Sequence, residues 1–132
     1  MEKWRRIWRE GIAPQLSRSA LLALQSALRR DDRRLLQGLV TAPPPLEANG
    51  SCAVVGGCAI GLCGWLGEDL TSVGAVEEYF SGICKAADAA FAEPAACRFF
   101  FNWFDEAPRA EMRRELLIEV TRALQQRTPI AA

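Results

Sequence analysis

The sequence predicts an all-α fold, a single compact irregular bundle of five to six helices over residues 1–132. Three observations carry this. Apolar residues recur at helical spacing along most of the chain. Prolines and N-capping residues fall at the ends of those runs. In the one stretch where a hairpin competes with helix, Val54, Val55 and Ile60 are too few β-branched residues to favour strand. With 50% of 132 residues apolar and 24% charged, the chain can bury a core of its own.

Trp4, Ile7 and Trp8 stand at i, i+3, i+4 and predict a short basic helix over residues 2–10, ended by Gly11 and Pro14. Ser17 is placed to cap a second helix whose inward stripe is Leu21, Leu24 and Leu28. After the charged block 29–34, Asp31 or Asp32 is expected to cap a short helix bearing Leu35, Leu36 and Leu39. Prolines 43 to 45 then make a stiff connector over 41–50.

Residues 48–67 form a run of twenty uncharged residues that admits three readings. The favoured one is a buried central helix over 52–66, with Ala53, Gly57 and Gly61 letting another helix approach closely. A hairpin turning at Gly56-Gly57 and a membrane span are the alternatives.

The clearest helix runs from about Val73 to Ala92, capped by Ser72, with Val76, Phe80, Ile83, Cys84, Ala87 and Phe91 on one face. Another is expected to start at Pro94 and to carry five aromatics between Phe99 and Phe104. A helix apolar over so wide an arc is buried by several neighbours or by a partner. Pro108 opens the last helix, which runs to about Gln126 with Met112, Leu116, Leu117, Val120 and Leu124 inward and Ile118 outward. The tail 128–132 is expected to be loose.

Chemistry is bounded mostly by absence. The chain has no histidine, which removes the Ser-His and Cys-His nucleophile pairs and every histidine-containing metal site. Cys52, Cys58, Cys63, Cys84 and Cys97 include no C-x-x-C pair, so no metal site is assigned. They are expected to be buried small hydrophobes in a reducing cytoplasm. Cys97 beside Arg98 comes nearest to an activated thiol, yet its phenylalanine surroundings favour inertness. No phosphate-binding loop appears, no catalytic residue is assigned and no cofactor is expected.

The net charge of zero is unevenly spread: residues 1–46 carry +5, 47–106 carry −7 and 107–132 carry +2. Such segregation suits complementary faces within one fold or between copies. On these grounds the first functional expectation is a non-enzymatic interaction module, self-associating or bound to another protein, with Phe99, Trp103 and Ile118 as its interface. The second is a small-molecule binding protein or small enzyme with an aromatic pocket edged by Arg98, Asn102 and Asp105, which stand at i, i+4, i+7. For this stripe a structural hydrogen-bond network stands ahead of a ligand site, because buried networks outnumber ligand sites. The third is a basic N-terminal surface that touches nucleic acid or membrane.

Overall fold

The computed structural model describes residues 1–44 and 50–127; residues 45–49 of the expected connector and the expected loose tail 128–132 lie outside them. The fold is all-α, with six helices and little strand. Helix α1 (Lys3–Ile7) continues without a break into a π-helical turn (Trp8–Ile12) and a 3₁₀ turn (Ala13–Gln15). Then come α2 (Arg18–Arg30), strands β1 (Thr41–Ala42) and β2 (Gly56–Gly57), and α3 (Ala59–Leu62), which runs on as a π-helical turn over Cys63–Gly67. The chain closes with α4 (Val73–Phe91), α5 (Cys97–Glu106) and α6 (Arg109–Gln126).

Local signals account for several of these boundaries. Ser17 and Ser72 accept the backbone amides of Ala20 and Ala75, as N-caps do. Pro108 stands at the N-cap of α6. The main core draws on every helix, from Trp8 and Ile12 through Leu24, Ile60 and Phe100 to Leu116 and Val120. Phe100 is its aromatic hub, with ring centroids of Phe101, Trp8, Phe104, Trp103 and Trp4 at 5.0, 5.5, 5.9, 6.0 and 6.3 Å.

Three sequence expectations need correction. No helix forms over Leu35–Leu39. Leu35 drops into the core while the Leu36 amide donates to the Gly57 carbonyl and the Gly57 amide to that of Arg34. This segment is held instead from α5 and α6. Arg109 donates to the Asp31 carboxylate and to the Leu35 and Asp32 carbonyls, and Gln37 donates to the carbonyls of Phe104 and Ala107.

Second, the 52–66 run is not one helix. Its first half is extended, with Gly56–Gly57 paired antiparallel to Thr41–Ala42, the start of the expected connector, and helix begins only at Ala59. The Gly57-x-x-x-Gly61 spacing does serve a close approach, but to the Val40 carbonyl rather than to a helix. A Cβ on Gly61 would overlap that oxygen. Gly61→Ala is therefore expected to lower the unfolding midpoint clearly, because the obstacle is backbone on both sides; Gly82→Ala, where a Cβ meets nothing, is expected to leave it unchanged or raise it slightly. Parallel thermal melts of the two variants check this. Among the described residues no helix is long and apolar enough to cross a membrane.

Third, α5 starts at Cys97 rather than at Pro94. Ala95 takes a left-handed backbone conformation at φ 60°, and Asp88 on α4 accepts the amides of Ala95 and Cys97 at 3.1 and 2.9 Å. The carboxylate thus supplies the N-terminal cap from another helix.

The N-terminal helix is neutralised from within. Glu119 on α6 is 1% exposed. It accepts Arg9 Nε at 2.6 Å and Arg5 Nη1 at 2.8 Å. Arg5 also reaches Glu115 at 3.1 Å, and Trp4 stacks on Trp103 with centroids 3.5 Å apart.

Candidate functional site

A mostly apolar cavity lies between α4, α5 and the segment 38–40. It measures about 300 Å³ and is lined by Gly38, Leu39, Val40, Cys58, Phe80, Cys84, Cys97, Arg98, Phe101 and Asp105. Helical periodicity explains two of its walls. Phe80 and Cys84 stand one turn apart on α4, and Cys97, Phe101 and Asp105 one turn apart in succession on α5. Phe80 and Phe101 meet across the helices with ring centroids 5.2 Å apart, setting the floor between them.

The third wall is irregular chain held in place by named bonds. Asp105 accepts the Gly38 amide at 2.8 Å. Gly38 itself has φ +89°, a conformation that glycine adopts without strain. The Val40 carbonyl accepts the Cys58 amide and rests on Gly57 and Gly61. The wall thus depends on two glycines whose missing side chains make room for backbone.

The polar stripe is divided by this arrangement. Arg98 and Asp105 line the cavity, while Asn102 does not. The expected Arg–Asn–Asp network does not form: Asp105 is committed to the Gly38 amide, and Asn102 is exposed. Arg98 is exposed at the rim, and its guanidinium has no hydrogen bond or ion pair among the described residues. A guanidinium with five donors and no internal acceptor stands at the edge of an apolar space.

The thiols of the cavity are protonated at neutral pH. Burial pushes Cys58 up to about 12, and its sulfur accepts the Gly61 amide at 3.4 Å as the cap of α3. Burial likewise raises Cys84, where Cys97 adds to the effect, and Cys97, where the Asp88 carboxylate adds to it. The Cys97–Arg98 pair therefore lacks the depressed thiol that nucleophilic catalysis requires. Among the described residues no group of three His, Cys, Asp or Glu side chains is placed to hold a metal ion.

The residues singled out as an interface are dispersed. Trp103 is covered by Trp4, and the Lys3 ammonium lies 3.6 Å from the centroid of the Phe99 ring. Ile118 is 54% exposed and lines a separate shallow groove on α6 with Arg114, Leu117, Thr121, Arg122 and Gln125.

Two of the three stripe residues, Arg98 and Asp105, line this cavity together with Phe80 and Phe101. Sequence reasoning missed Cys84, Cys58 and the 38–40 wall as members of one cavity, because elements distant in sequence bring them together. No protein-family profile, curated protein or solved structure matches the chain.

Proposed function

We propose that this chain is a small-molecule binding protein whose cavity takes a compact apolar ligand carrying one carboxylate, paired with Arg98. The observation that carries the reading is the pairing of an apolar space of about 300 Å³ with a guanidinium that has no partner among the described residues. Ligand cavities are mostly apolar with a few polar groups that fix orientation. Arginine presents a planar fork that matches a carboxylate. The volume stands at the lower end of the usual range, about 300–1,000 Å³, so the ligand is small. The thiols of the site are raised by burial and Asp105 is engaged with the Gly38 amide, so the reading is one of binding rather than turnover. The five free thiols favour a reducing cytoplasm as its compartment.

Titration calorimetry with phenylacetate and hexanoate, each beside its primary amide, tests this. The acids are expected to bind more tightly than the amides, and Arg98→Gln to abolish the difference. Because Arg98 is exposed, the variant should keep its stability within about 0.5 kcal/mol. Equal binding of acid and amide, or an acid preference that survives the substitution, would overturn the assignment.

Self-association is the second reading, favoured by one observation: Ile118 is 54% exposed beside Arg114 and Arg122 in the α6 groove. Ile118→Glu is expected to reduce the mass measured by light scattering if that groove joins copies. A basic N-terminal surface for nucleic acid or membrane ranks last, since Arg5 and Arg9 are paired with Glu119 and Trp4, Ile7 and Trp8 are buried.

A further inference from the structure

We propose that Cys84 and Cys97 form a two-coordinate site for a soft monovalent cation of the Cu(I) type, in the wall of the same cavity. The two thiols stand on adjacent helices and line one apolar space, and the Cys97 amide donates at 2.9 Å to Asp88, one turn beyond Cys84 on α4. Their positions are set from two directions. Cys84 sits mid-helix on α4, and the Cys97 backbone is pinned by the Asp88 carboxylate, whose two oxygens hold the amides of Cys97 and Ala95.

The chemistry of the donor set selects the ion. Thiolates prefer soft cations, and oxygen-seeking ions such as Mg²⁺ and Ca²⁺ gain nothing here. Structural Zn²⁺ wants four ligands, and no group of three converges among the described residues. The third thiol of the cavity, Cys58, is engaged with the Gly61 amide. Two sulfurs alone suit a d¹⁰ monovalent ion that accepts linear coordination.

The step balances without electron transfer. Two S–H bonds break, two Cu–S bonds form, and both protons leave to solvent. The bis-thiolate complex carries one net negative charge, and the cavity that holds it is lined by one cation, Arg98, and one carboxylate, Asp105. In an apolar wall the thiols stay protonated until a soft cation displaces their protons. The proposal shares with the preceding reading the premise that solutes enter this cavity.

The test is anaerobic competition of the reduced full-length chain against the chromogenic Cu(I) chelator bathocuproine disulfonate. The chain is expected to withhold one equivalent of Cu(I). Cys84→Ser and Cys97→Ser should each lose it, while Cys52→Ser, outside the cavity, keeps it. Far-UV dichroism separates loss of the site from loss of the fold, with Cys84→Ala as a second variant should serine disturb the wall. X-ray absorption on the wild type gives a reading that no variant affects: two sulfur neighbours support the site, and three or four overturn it.

No equivalent retained by the wild type, or retention unchanged in a folded Cys84→Ser variant, also overturns it. Failure of the carboxylate titration with Cu(I) still held removes only the preceding reading. Failure of Cu(I) with the carboxylate preference intact removes only this one. Failure of both means that the cavity is closed to solutes, and both fall.

Discussion

Phe100→Ala is expected to destabilise the protein by about 4 kcal/mol, the range for deleting a fully buried aromatic side chain whose site cannot collapse. Phe100 is 0% exposed, with five aromatic rings at centroid distances of 5.0 to 6.3 Å. Those neighbours belong to α1, its π-helical continuation and α5, so the void would open where the N-terminal segment meets the aromatic helix. Rigid indole and phenyl rings on both sides cannot fold inward to fill it. Phe100→Leu, which restores most of the volume, is expected to cost less than half as much. Urea unfolding of the two variants against wild type gives both numbers. Equal, small losses would mean that the ring cluster is looser than the distances imply.

Glu119→Gln is expected to cost about 3 kcal/mol near pH 7, because it removes one partner of a buried charge cluster and leaves the others unpaired. The substitution keeps the shape, so the loss reports on charge. Burial alone would raise the Glu119 carboxyl, but the bonds from Arg9 and Arg5 outweigh it and hold the carboxyl below its ordinary value of 4.5. The sign follows from that depression. The contribution is fully present above the ordinary carboxylate value and is lost as pH falls through the lower folded-state value. The gap between wild type and Glu119→Gln should therefore be widest at neutral pH and close in strong acid. Stability curves from pH 7 down to about pH 3 check it. A gap that stays constant, or grows on acidification, would contradict the cluster as described.

The elements that the sequence disclosed are those whose causes are local. Helix α4 follows from Ser72 and an apolar pattern of about five turns that begins beside it, and α6 follows from Pro108 and its stripe. The failures share a different cause. Leu35, Leu36 and Leu39 have helical spacing, yet the Leu36 amide finds its acceptor at Gly57, which no window around residue 35 contains. Pro94 is a reasonable helix start until Asp88, on the preceding helix, takes the amides that define the true one. The small residues at 57 and 61 announced a close approach, while the identity of the approaching group, the Val40 carbonyl, depended on tertiary folding.

Glu119 was legible in part. It lies three residues from Leu116 and seven from Met112, inside the inward arc of α6, and the arginines of the first helix are the partners such a burial requires. The site shows the same division. Arg98 and Asp105 were visible as a stripe on one helix, since a stripe needs only the helical period. The removal of Asn102 and the entry of Cys58, Cys84 and the 38–40 wall were fixed by packing between helices.

The central claim is that a small carboxylate enters the cavity and meets Arg98. Its most direct measurement is methyl and guanidinium NMR of the full-length chain during titration with phenylacetate. Saturable shifts are expected at the methyls of Leu39 and Val40 and at the Arg98 Nε–H, with the Ile118 and Leu117 methyls of the α6 groove unmoved. Shifts confined to Ile118 and Leu117, or none at Arg98, would contradict it.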